Sequence, residues 1–177
     1  MDCKSRIVCA LLLTAALAAS PALATVNVSF VAQDSVIPNV GDTVQVDVMA
    51  NFTDAMTGWG LDLIIDDPGI AAVTDFVVGV SWDPISSLDG DDIGGLRFPP
   101  GVGPGDVLLG TFTFQGLAEG TTGISMTYQR EEDEGFLTEL SGYDEDVVYV
   151  GGTIEVLPEP ASLALLALGG LALLRRR

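Results

Sequence analysis

The chain has 177 residues, with 25 Asp and Glu against 7 Lys and Arg, no histidine, and a formal net charge of −18. Without histidine, neither Ser-His-Asp nor Cys-His nucleophile systems nor imidazole proton transfer is available. A chain this negative repels nucleic acid, a polyanion that needs Lys and Arg to neutralise it.

Residues 1–24 open with a short basic start (Lys4, Arg6), run through the apolar stretch Ile7–Ala19, and end in Ala22-Leu23-Ala24 after Ser20-Pro21. That is the order of a secretory signal, cut by signal peptidase after the small pair Ala22 and Ala24. The competing reading is an N-terminal membrane helix that stays. The shortness of the apolar stretch and the well-formed cleavage site favour removal, so the mature chain starts at Thr25. Both cysteines, Cys3 and Cys9, leave with the signal. The exported domain therefore holds together by packing, without disulfides. Residues 25–157 carry 23 acidic side chains and two basic ones, Arg97 and Arg130, a net of −21. They also lack lysine, which removes Schiff-base chemistry and a phosphate-loop lysine. Lacking cysteine and histidine, they cannot build a zinc site of the usual kind. Acidity of this sort keeps a surface soluble. Cation binding or function in a saline medium is the sharper reading.

The domain, residues 25–156, reads as all-β. Val26, Val28, Phe30 and Ala32 alternate with Asn27, Ser29 and Val31, and Val44, Val46, Val48 and Ala50 with Gln45, Asp47 and Met49. Trp59, Leu61, Leu63 and Ile65 form a third alternation, with period two and one apolar face. Further strands are expected at Ala71–Val78, Val107–Phe114, Gly123–Gln129 and Val147–Val156, with a short one at Ile93–Phe98. Turn residues separate them at Pro38–Asp42, Asp66–Gly69 and Glu119–Thr121. Gly60, Gly110, Gly151 and Gly152 fall inside strands and mark bulges or bends. Seven or eight short strands favour an antiparallel two-sheet β-sandwich. Its core is expected to take Phe30, Val46, Val48, Leu61, Leu63, Leu109, Phe112 or Phe114, and Ile124 or Met126.

The segment Gly79–Gly105 breaks this rhythm with Gly, Pro and Asp; loops of that length are often functional. It contains Trp82, the best candidate for a flat sugar-binding platform, with Tyr143 next. For Trp82 itself, a loop anchor packed on the edge of the sandwich is favoured over a ligand platform. Asp89, Asp91 and Gly94 fit positions of a calcium loop, but Ile93 and Pro100 stand where further ligands belong. Asp89, Asp91 and Asp92 are left as a candidate calcium site with backbone carbonyls, or as solvated surface. Asp144–Asp146 and Glu131–Glu134 form two further acidic clusters, read as solvated loops. No other cofactor is indicated. Two carboxylates could in principle serve a glycosidase, but among 23 acids such a pair arises by chance, and the domain is read as non-catalytic.

The order of these pieces is similar to a cohesin-type sandwich, among carbohydrate-binding-like modules. The resemblance is carried by Val40-Gly41-Asp42-Thr43-Val44-Gln45-Val46, by Trp59-Gly60-Leu61-Asp62-Leu63-Ile64-Ile65-Asp66, by Gly105–Phe114, by Gly120–Ile124 and by Gly151–Val156. It implies a cohesin-like fold. Cohesins bind dockerins through one sheet face, but no residue set here matches such a face, so dockerin binding is not implied.

The chain closes with Pro158-Glu159-Pro160, the uncharged run Ala161–Leu174 and Arg175, Arg176 and Arg177. Fourteen helical residues span about 21 Å, short of the ~30 Å hydrocarbon core of a bilayer. A segment that is recognised and then removed can be that short. The arginines hold their flank on the cytoplasmic side. The sandwich is thus flanked by an N-terminal signal helix and a C-terminal hydrophobic helix, a transient inner-membrane tether. Residues 157–177 resemble the PEP-CTERM sorting signal, whose bearers are exported and processed by an exosortase. The resemblance implies a Gram-negative bacterial host, often one making exopolysaccharide, and delivery to the cell surface or extracellular matrix. The function expected is a non-catalytic surface or matrix protein whose sandwich contacts another surface protein. Binding of exopolysaccharide is the alternative.

Overall fold

The computed structural model describes residues 25–85, 93–129, 134–139, 142–144, 146–159 and Leu168. The expected signal helix and C-terminal hydrophobic helix lie outside these residues, apart from the single position Leu168. Among the described residues no helix is long and apolar enough to cross a membrane.

The described chain folds into β1 (Thr25–Phe30), β2 (Asp34–Ile37), β3 (Thr43–Phe52), β4 (Met56–Gly60), β5 (Asp62–Ile65), β6 (Ala71–Val78) and β7 (Asp83–Pro84). These are followed by β8 (Gly94–Leu96), β9 (Gly105–Gly116), β10 (Gly120–Thr127), β11 (Gly135–Thr138), β12 (Gly142–Asp144), β13 (Asp146–Val150) and β14 (Gly152–Val156). Hydrogen bonding sorts them into three sheets, in the orders β13-β1-β3-β9-β6, β2-β14-β10-β5 and β12-β11-β4-β8-β7. The all-β sandwich stands, but the expectation of two antiparallel sheets needs correction on both counts. Among the described residues there are three hydrogen-bonded sheets, and β1–β13 and β2–β14 pair in parallel.

The reason lies in where strands change sheet. The first and last strands of the domain run side by side and switch together, at Val31–Gln33 and at Gly151. Thr153 N donates to the Gln33 carbonyl at 2.6 Å. A Cβ on Gly152 would lie 2.4 Å from that same oxygen, so only glycine allows the crossing to close. The expected continuous strand Val147–Val156 is broken there into β13 and β14. The third alternation breaks too, at Leu61: Trp59 belongs to the third sheet and Leu63 to the second. Leu61 itself is buried, and its N–H bonds the Ile93 carbonyl at 3.2 Å.

Two bulges keep the apolar faces inward. In β9 the pairing shifts beside Val48, so that Leu109 is the extra residue. Val107 and Phe112, an odd number of positions apart, both reach the core as a result. In β6 the shift lies at Thr74, and it likewise brings Val73 and Phe76 to one side. Phe112 and Phe114 are both buried, with Phe30, Val46, Val48, Leu109, Ile124 and Met126. Leu63 is only half-buried, because β5 is an edge strand of its sheet.

Candidate interaction surface

Trp82 is placed by a tight turn that follows β6. Gly79 N donates to the Leu109 carbonyl at 2.7 Å and Trp82 N to the Gly79 carbonyl at 2.9 Å. The indole Nε1 then donates to the Leu108 carbonyl at 3.1 Å. The ring is 5 % exposed and meets Phe52 and Trp59 edge to face, each at 6.3 Å between centroids. Of the two readings of Trp82 the sugar platform is excluded, because aromatic neighbours occupy the surfaces a sugar would use, and the loop anchor stands: Trp82 ties the long loop to the β9 bulge.

Tyr143 sits on β12, at the edge of the third sheet, paired with Leu137. Asp89, Asp91 and Asp92 belong to residues 86–92, outside those described, which connect the paired strands β7 and β8. Among the described residues no group of three or more acidic, His or Cys side chains could hold a metal ion. Pro158 and Glu159 follow β14, where Leu157 N donates to the Ile37 carbonyl at 3.0 Å. Pro160, Arg175, Arg176, Arg177, Ala22 and Ala24 lie outside the described residues.

One acidic residue departs from the solvated-loop reading. Glu134 is buried, and its Oε2 accepts the Gln129 N–H at 2.7 Å, closing the connection between β10 and β11. Gly60 makes room for it, since a Cβ there would lie 3.3 Å from the Glu134 Cα. Beside it is a buried hydroxyl that sequence reasoning did not single out. The Tyr149 oxygen has no hydrogen-bond partner among the described residues. Burial, then the neighbouring Tyr128, Glu134 and Asp62, raises its pKa above the ordinary tyrosine value.

Two surface features lie apart from the residues singled out in the sequence. The first is Phe98, 76 % exposed, next to Arg97, the sole basic residue among those described. Its loop is held on both sides. Arg97 N donates to the Thr57 carbonyl at 2.7 Å, and Met56 and Val102 exchange two backbone hydrogen bonds. The flanking Pro99-Pro100, which interrupts any strand there, is the signal in the sequence that Phe98 leaves the core.

The second is the outer face of the first sheet. Its register sets Val150, Ser29, Met49 and Leu108 in one row across four strands. Next to it runs the row Val148, Asn27, Asn51 and Asp106. On the other side lie Asp47, Thr111 and Val77. Asn51 Nδ2 donates to Asp106 Oδ1 at 2.6 Å and Thr111 Oγ1 to Asp47 Oδ1 at 2.6 Å, so both carboxylates are held in place.

No protein-family model matches the chain, and no curated protein does. Solved structures do. A type I cohesin from Pseudobacteroides cellulosolvens is similar over 76 % of this chain and 94 % of its own, at 13 % identity and a TM-score of 0.56. A cohesin from R. flavefaciens, in complex with a dockerin, is similar over 77 % and 98 %, at 14 % identity and a TM-score of 0.56. A non-cellulosomal cohesin from the archaeon Archaeoglobus fulgidus is similar over 79 % and 96 %, at 15 % identity and a TM-score of 0.53. The chain thus has a cohesin-like β-sandwich fold.

Proposed function

We propose that this chain is an exported, non-catalytic interaction module that presents its sandwich to another protein at the cell surface or in the extracellular matrix of a Gram-negative bacterium. The observation that carries the reading is the cohesin-like fold, similar to cohesin modules over nearly their whole length. One of those modules is held by a dockerin in its structure, which favours a protein partner for this sandwich too. Residues 25–157 hold no His, Lys or Cys, so a binding role asks nothing of chemistry they lack.

Signal peptidase releases the N-terminus after Ala24. The run Ala161–Leu174, locked by Arg175–Arg177, tethers the domain to the inner membrane until an exosortase acts at Pro158-Glu159-Pro160. Fractionation of host cells with and without residues 157–177, with mass spectrometry of the native product, tests this. The expected product starts at Thr25, lacks Arg177 and is found outside the inner membrane. An intact Arg177 terminus, or protein in the cytosol, overturns the sorting route.

Exopolysaccharide binding is the second reading, and exposed Phe98 is what favours it. An uncovered aromatic ring beside a cation offers a sugar both a stacking face and a hydrogen-bond donor. Retention on a glycan array, lost in Phe98→Ala, would move the assignment from protein to carbohydrate.

A further inference from the structure

We propose that the outer face of the first sheet is a docking surface for a cationic, amphipathic segment of a partner protein. The proposal rests on the reading of the chain as an interaction module and names where and with what it interacts. The solvent face of an antiparallel sheet ordinarily alternates to polar. Here the row Val150–Ser29–Met49–Leu108 is apolar at three of its four places, and Val148 and Val77 extend it into the flanking rows. Val148 is 50 % exposed and Val77 56 % exposed. These residues come from five strands and positions as far apart as Ser29 and Val150, so the patch exists only in the folded chain.

The charges around the stripe carry one sign. Asp47, Asp75, Asp106 and Asp146 stand on the same five strands, which contain no Lys or Arg. Threonine and asparagine neighbours already hold Asp47 and Asp106 in position, so a cation meeting them spends little ordering the site. A second copy of the chain would bring the same four carboxylates and be repelled. A glycan would find no aromatic ring on these rows to stack against. A segment with aliphatic side chains for the stripe and Lys or Arg for its rim satisfies both features. The acidic field speeds its arrival and the stripe slows its departure.

The test uses the full chain purified from its host and a synthetic peptide alternating Lys and Leu, with a Glu and Leu peptide as counterpart, read by fluorescence anisotropy. The Lys/Leu peptide is expected to bind, more weakly as salt rises, and the Glu/Leu peptide not to bind. The double variant Val148→Lys, Val150→Lys is expected to weaken binding by about tenfold or more. The double variant Val36→Lys, Ile64→Lys adds equal charge on the second sheet and is expected to change it little. Equal losses in both double variants would mean charge alone attracts the peptide, and no loss in either would mean it docks elsewhere; each overturns the proposal. Met49→Gln, which adds no charge, gives an independent reading should the lysines unfold β13. It is expected to weaken binding without changing the salt dependence, and unchanged affinity counts against the stripe. Surface retention in host cells separates this inference from the function it rests on. Retention that needs residues 157–177 but is unaffected by the face variants overturns the docking face and leaves the exported module standing. Retention that needs neither removes the module reading itself.

Discussion

The indole N–H of Trp82 donates to the carbonyl of Leu108, 26 residues further along the chain, at 3.1 Å. Leu108 is the residue before the bulged Leu109, so this bond ties the start of the long loop to the irregularity in β9. Trp82→Phe keeps most of the packing against Phe52 and Trp59 but leaves that carbonyl without its indole donor. It is expected to cost about 1–3 kcal/mol in chemical denaturation. Trp82→Ala also empties an aromatic site in the core and is expected to cost about 3–5 kcal/mol. If Trp82→Ala melted like the parent chain, the indole would not be the anchor.

Gly110 is the companion test of the same bulge. A Cβ there would lie 2.3 Å from Phe76 Cζ and 2.7 Å from the Val77 carbonyl oxygen. Phe76 is wedged against Phe112 at 4.5 Å between centroids and cannot swing clear without opening the core. Gly110→Ala is expected to destabilise by about 1–3 kcal/mol through overpacking. Gly105→Ala meets nothing within 4 Å but carries a φ of +120°, so its cost is backbone strain alone. Paired thermal melts distinguish the two, because only Gly110→Ala should also perturb the near-ultraviolet signal of the aromatic core.

The alternation of Val26–Phe30 and Val44–Ala50 located β1 and β3, since a half-buried strand writes its burial into a period of two. Phe112 and Phe114 could be assigned to one face for the same reason. What the period could not give was the change of sheet at Leu61. A strand that crosses between sheets keeps its alternation while its hydrogen-bond partners change, and partners are a property of distant sequence. The same holds for the parallel pairing of the first and last strands, where Gly152 closes against Gln33. The candidate surface was less legible still. The alternation of β3 already turned Met49 outward with Gln45 and Asp47, but Leu108 read as an ordinary member of an apolar strand, and only the extra residue Leu109 turns it to the same face. Trp82, an aromatic in a polar loop, could be read as a packed anchor, but Glu134, an acid in an acidic run, misled, because composition reports the neighbours in sequence and burial depends on those in space.

Calcium can be tested without reference to the partner. The connection carrying Asp89, Asp91 and Asp92 is framed by Ile85, whose N–H bonds the Gly94 carbonyl at 3.3 Å, and by buried Ile93. A bound ion present at 100 times its dissociation constant would add about 2.7 kcal/mol and raise the melting temperature by several degrees. If these acids are solvated surface, millimolar Ca²⁺ leaves the melting temperature unchanged, and this is the expected outcome. A rise that disappears in Asp91→Asn would instead establish a site at this loop.

Tyr149 gives the domain a pH dependence of defined sign. Burial and its acidic neighbours raise the pKa of the folded state above the ordinary value of 10.0. Folded protein therefore keeps the phenol proton at a pH where the unfolded chain has lost it. The unfolded state binds fewer protons there, so stability falls as pH rises. This contribution is fully present below pH 10 and is lost as pH climbs from 10 toward the raised value. Tyr149→Phe removes the titration, and with it a buried hydroxyl that has no acceptor among the described residues. The variant is expected to be about 1 kcal/mol more stable than the parent at neutral pH, since an unsatisfied polar group is no longer desolvated. Its urea midpoint should also decline less steeply than the parent's above pH 10. A variant less stable at neutral pH would mean that an ordered water satisfies the hydroxyl, and an equal slope above pH 10 would mean that another group sets the alkaline limit.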